Sequence, residues 1–213
     1  TYTYEVPGKT LTYKIGYNYR VIYNMTELYP VMESKMLPNA GTLTLIDNND
    51  DGVYEVVIVD EFINIVAEKY GVNADKVVDV LDPTRVINFK KYDNYQVIDA
   101  VGAPYAKTDI QKYDIIEFYE SADEKSFTAI VKRTGLPALV DSIDEHYVYA
   151  GTSKYLVSAD VREEISSLFL GAQYTLYLNS KGELVYWLRG DDLKFGYVYE
   201  VQGKGVFDYE ARV

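Results

Sequence analysis

The chain has 213 residues, no cysteine, one histidine, and a formal net charge of −12 from 33 acidic and 21 basic side chains. These counts exclude a disulfide framework, thiolate metal sites and multi-histidine zinc, and the acidity opposes nucleic acid or an anionic membrane surface as partner. The 23 tyrosines, with abundant Val and Ile, predict a β-rich protein whose rings cover cores while their hydroxyls stay wet.

Strand patterns bounded by turn residues recur at residues 19–23, 42–46, 53–59, 114–119, 127–131 and 174–178. Residues 61–70 suit a helix or a strand equally, because Phe62-Ile63-Asn64-Ile65-Val66 is a short apolar run without a decisive period. Asn73-Ala74-Asp75-Lys76 reads as a short capped turn. Ser121-Ala122-Asp123-Glu124-Lys125, Asn179-Ser180-Lys181-Gly182 and Gly203-Lys204-Gly205 read as hairpin turns. Asp160 with Glu163 has capping-box form, and Ile165, Leu168 and Phe169 supply a narrow apolar face, predicting one or two turns of helix before Gly171. The fold class expected is therefore mostly β, with tandem small antiparallel barrel or sandwich units and one or two short helices.

An internal similarity sets the expected organisation. Gly16, Tyr19 and Asn24 recur at the same spacing as Gly171, Tyr174 and Asn179, each set following a Tyr-x-Val stretch at Tyr4 and Tyr155. A second match joins Gly135 through Val140 to Gly196 through Val201. Residues 131–190 then form one complete small barrel-like unit, 1–36 a closing half and 191–213 an opening half. Either the chain cuts through a tandem array, or its two ends pair as a second, permuted unit, which would cover strand edges that otherwise invite aggregation. Residues 40–130 form a middle module.

The middle module carries the sharpest chemical motif, Asp47-Asn48-Asn49-Asp50-Asp51-Gly52. Alternating side-chain oxygens followed by a glycine are what a hard cation such as Ca²⁺ takes from one loop. The expected ligands are Asp47, Asn49, Asp51, the Val53 carbonyl and Glu55, at loop positions one, three, five, seven and nine. Position twelve is Ile58, not the bidentate glutamate of an EF-hand, so any site is weak unless Asp60 or a distant acid adds oxygens. A plain hairpin turn explains the same residues, since Asn, Asp and Gly accept left-handed backbone.

Other chemistry is sparse. His146 has no nucleophile-elbow serine to serve, and no zinc-protease helix, P-loop or dinucleotide fingerprint occurs. The acid pairs Asp191-Asp192 and Asp141 with Asp144 are candidates for glycoside hydrolysis only if a cleft sets them at a defined separation. Trp187 and surface tyrosines are candidates for sugar stacking. No apolar stretch reaches the length of a membrane span, and Thr1-Tyr2-Thr3-Tyr4 does not read as a signal peptide.

The runs GTLTLIDNNDDGVYEVVIV, YDIIEFYESADEKSFTAIVKR and GAQYTLYLNSKGELVYW together resemble the β-rich repeat regions of clostridial and related Gram-positive S-layer-type proteins, which accompany S-layer homology domains. No anchor motif of that kind is visible in this chain. The resemblance implies a secreted, extracellular protein at the cell surface or wall, without enzymatic activity. It implies a structural or interaction module whose partners are other surface-layer or cell-wall components, including polysaccharide. A calcium-supported carbohydrate-binding module is the alternative, and a surface glycoside hydrolase the third reading.

Overall fold

The structure, a computed structural model, describes residues 1–6, 9–190, 200–203 and 209–212, with side chains described for 1–3 and 10–190. Among the described residues strands predominate and helical segments are few and short, so the mostly-β class expected from the sequence holds.

β1 (Tyr2–Val6), β2 (Lys9–Tyr23), β3 (Thr26–Glu27), β4 (Gly41–Ile46) and β5 (Val53–Glu61) form a five-stranded sheet in the order β1-β2-β5-β4, with β3 folded back on the end of β2. β2 and β5 run parallel, with a register shift between Ile15 and Arg20. Val21, Tyr23, Leu28, Val57 and Val59 are the core of this sheet. The sheet runs across the division expected between residues 36 and 40. β4 and β5 join β2 because Leu43, Leu45, Val57 and Val59 complete the apolar layer that Val21 and Tyr23 begin.

The second sheet contains β6 (Ile63–Gly71), β7 (Lys76–Asp79), β8 (Val86–Asn88), β9 (Asn94–Asp99), β10 (Ile115–Glu120) and β11 (Ser126–Lys132) in the order β8-β7-β6-β10-β11-β9. Only β9 and β11 are parallel within it. The ambiguous stretch at 61–70 is a strand. Ile65 and Ala67 enter the main core beside Phe89, Phe118 and Phe127, while Val66 packs with Ile115 and Val185 in a separate cluster. A strand buried on both faces loses the alternation that would have identified it. The turn expected at 73–76 falls between β6 and β7, where Asp75 has a φ of 52°.

Between residues 131 and 190, β12 (Leu136–Leu139), β13 (Ser142–Ile143), β14 (Tyr147–Ala150), β15 (Ser153–Leu156), β16 (Gln173–Leu178) and β17 (Leu184–Arg189) form two three-stranded sheets, β12-β16-β17 and β13-β14-β15. They share one core around Val140, Val148, Val157, Tyr174, Leu176 and Leu184. The helix expected before Gly171 is a 3-10 turn at Ala159–Ser167, with Ser158 as its N-cap residue. Asp160 does not cap it, because its carboxylate accepts hydrogen bonds from Asn64 Nδ2 at 3.4 and 3.2 Å. β18 (Glu200–Gly203) and β19 (Tyr209–Arg212) pair antiparallel. The expected unit at 191–213, and the turn at Gly203-Lys204-Gly205, reach largely into residues outside those described.

Two polar seams join these layers. At the first, Asn24 at the end of β2 donates from Nδ2 to the carbonyls of Glu61 at 2.8 Å and Glu120 at 2.7 Å, and accepts the Glu61 N–H at 2.9 Å. At the second, Ser180 N–H donates to Glu117 Oε1 at 2.6 Å, Asn64 Nδ2 to Ser158 Oγ at 3.0 Å, and Lys132 Nζ to the Asn179 carbonyl at 2.9 Å. An apolar patch backs the second seam, where Tyr113 stacks on Tyr186 at 5.4 Å and tilts against Tyr177 at 5.5 Å. The sequence-matched residues Asn24 and Asn179 thus each follow directly on a strand, β2 and β16, and both sit at a seam.

Tyr174 is 4% exposed, and its hydroxyl accepts the Phe169 N–H at 2.9 Å. Tyr174→Ala should therefore cost about 3–5 kcal/mol in denaturant unfolding. Asp79, 1% exposed, accepts from the Val66 and Leu81 N–H groups through Oδ1, while Oδ2 has no hydrogen-bond partner and lies 3.9 Å from Arg85. Burial raises its pKa above the ordinary 3.8, and the backbone bonds only partly oppose this. The folded chain then holds this proton more tightly than the unfolded one, a contribution complete below pH 3.8 and lost as pH rises through the native pKa. The stability of wild type minus that of Asp79→Asn should fall across that window in pH-dependent unfolding, whereas a pH-independent difference would contradict it.

Candidate metal site

The acidic loop joins β4 to β5 as an antiparallel hairpin. Its tightness follows from side chains that fold back on backbone donors. Asp47 Oδ2 accepts the Gly52 N–H at 2.8 Å and Oδ1 the Asn49 N–H at 3.2 Å. Asn49 Oδ1 accepts the Asp51 N–H at 3.1 Å, and Asp51 Oδ1 the Val53 N–H at 2.8 Å. Glu55, already within β5, reaches back to accept the Asn48 N–H at 2.9 Å. Positive φ at Asp50 (59°) and Gly52 (81°) lets the chain turn inside this ring.

Asp47, Asp51 and Glu55 each place a carboxylate oxygen within 4.8 Å of the other two. Calcium–oxygen bonds of about 2.3–2.6 Å put two ligands of one ion no more than about 5 Å apart, so this spacing fits a hard cation. Partial desolvation acts to raise the Asp47 pKa, but N–H donors from Gly52, Asn49, Asp50 and Asp51 outweigh it and hold the carboxyl below its ordinary value. Asp47 therefore stays ionised in mildly acidic solution, as a metal ligand must.

Of the five expected ligands, the structure brings the carboxylates of Asp47, Asp51 and Glu55 together. Asn49 lies in the same ring, with Nδ2 donating to Asp51 Oδ2 at 3.2 Å, and Val53 meets the ring through its N–H. Asp60 stands near the other end of β5, opposite Thr42, and is not part of the group.

The other candidates are dispersed. His146 is exposed, its N–H donating to Asp144 Oδ1 and its carbonyl accepting from Val157. The Tyr149 hydroxyl, followed by the His146 and Tyr147 N–H groups, holds Asp144 below its ordinary pKa, and Asp141 accepts the Gly151 N–H. Both acids are thus occupied in closing turns. Asp191-Asp192 lies outside the described residues. Trp187 is half-buried against the 131–190 core, and its Nε1 donates to Ser167 Oγ at 3.3 Å.

Sequence reasoning missed the buried polar residues at the seams, namely Asn64, Glu117 and Ser158. The recurrence of asparagine at 24 and 179 was the one signal that pointed toward them. In comparisons with known proteins, no family model, no curated protein and no solved structure matched this chain.

Proposed function

We propose that this chain is a non-enzymatic structural or interaction segment of a cell-surface protein, extracellular and of S-layer type, whose first acidic hairpin takes up calcium. The observation that carries this reading is the destination of the buried polar groups. The side chains of Asn24, Asn64, Glu117, Ser158 and Asn179, each at 3% exposure or less, bond across seams between sheets. Polar groups spent in this way give a rigid multi-sheet body, which suits a spacer or scaffold that presents its faces to other surface-layer or cell-wall components, polysaccharide among them. The excess of acidic side chains keeps that body solvated and gathers cations around it. No helix of the described residues is long and apolar enough to cross a membrane.

Calcium has a definite mechanical role in this reading. Three carboxylates in one hairpin repel one another, and a divalent ion between them would remove that repulsion and tie β4 to β5, an inner strand of the first sheet. At a free concentration of ten to a hundred times the dissociation constant, the ion would stabilise the fold by about 1.4–2.7 kcal/mol. Titrating metal-stripped protein to millimolar Ca²⁺ should therefore raise Tm by roughly 3–10 °C. Asp47→Ala combined with Asp51→Ala should abolish the shift. An unchanged Tm in the intact protein would overturn the metal assignment. Release of reducing ends from cell-wall polysaccharide incubated with the pure protein would overturn the non-enzymatic reading, for which no release is expected.

A further inference from the structure

The first sheet has two unpaired borders, β1 and β4. Among the described residues β1 pairs only with β2 and β4 only with β5. Both borders line a single open cleft of about 560 Å³, with Tyr2 and Thr3 of β1 on one side and Leu43 and Leu45 of β4 on the other. Tyr13 and Tyr54, in edge-to-face contact at 5.7 Å, complete its apolar lining. The cleft thus runs over the face of the sheet from one border strand to the other. Unpaired strand edges over an apolar cleft are where an additional strand adds most readily.

The 131–190 unit indicates which strand belongs there. In that unit β14 lies antiparallel to β15, with Val148 opposite Tyr155. Tyr155-Leu156-Val157 matches Tyr4-Glu5-Val6, so β1 is the counterpart of β15. The match of Gly135 through Val140 to Gly196 through Val201, continued at the same offset, carries Val148 onto Tyr209, the first residue of β19. The pairing of β18 with β19, Gly203 opposite Tyr209, reproduces that of β13 with β14, Ser142 opposite Tyr149, to within one residue.

We propose that β19 adds to the free edge of β1 within the same molecule, antiparallel and with Tyr4 opposite Tyr209, and so extends the first sheet beyond β1. The occupant is the chain's own hairpin. The 19 residues from Gly190 to Tyr209 reach up to about 60 Å when extended, ample for a return to the first sheet. A net charge of −12 opposes association of two copies, and tethering favours the intramolecular partner.

The absence of cysteine makes crosslinking a clean test in the full chain. The register places Thr3 opposite Glu210, so Thr3→Cys with Glu210→Cys should form a disulfide within the monomer under mild oxidation. It should do so at least tenfold faster than Thr3→Cys with Gln202→Cys, whose partner lies on β18, one strand further away. Crosslinked dimers, equal rates for the two pairs, or no crosslink would each overturn the proposal. Independently, Glu210→Pro, which removes a backbone donor from β19, should accelerate amide hydrogen exchange in residues 2–6 while leaving β14 protected, and unchanged exchange in residues 2–6 would overturn it as well.

Discussion

Buried amide and carboxylate side chains at the seams hold this molecule together. Neither the five-stranded first sheet nor the pair of three-stranded sheets at 131–190 is large, and the six-stranded sheet between them exposes backbone wherever its neighbours end. Asn24 satisfies three such backbone groups at once, the carbonyls of Glu61 and Glu120 and the N–H of Glu61. Asn64 and Glu117 play the corresponding part toward Ser158 and Ser180. A buried polar group left unpaired costs roughly 1–3 kcal/mol, so each seam fixes one relative placement of the sheets and penalises any slip.

That constraint connects the fold to the proposed role. The apolar clusters are separate, one per sheet region, with the Val66, Ile115 and Val185 cluster bridging the second seam. A chain of small cores joined by directional hydrogen bonds resists bending more than a chain of cores on loose linkers. The acidic hairpin lies at the turn between β4 and β5, where a cation would stiffen the first sheet without touching either seam.

Much of this architecture is legible in the residues, and what is not has physical causes. The alternation in Leu43, Leu45, Val57 and Val59 announces half-buried strands, and Asn179 through Gly182 announces its hairpin. The stretch at β6 does not declare itself, since burial on both faces erases the period of two that separates a strand from a helix. The parallel pairing of β2 with β5 is equally hidden, because side-chain pattern specifies which face is buried and not the direction of the neighbour. Asp160 and Glu163 form a capping box in sequence, yet a tertiary partner, Asn64, claims the Asp160 carboxylate. At the candidate metal site the loop's residues and spacing were readable in advance. Glu55, expected at loop position nine, joins the group while its carboxylate accepts the Asn48 N–H, a contact that the spacing does not specify.

If the seams are what unite the sheets, residues 1–190 unfold as one cooperative body. Scanning calorimetry of the intact protein measures this directly. The account predicts one transition whose calorimetric and van't Hoff enthalpies agree, near about 130 kcal/mol for a body of this size at about 60 °C. Two or more resolved transitions, with the 131–190 unit melting apart from the first two sheets, would contradict it.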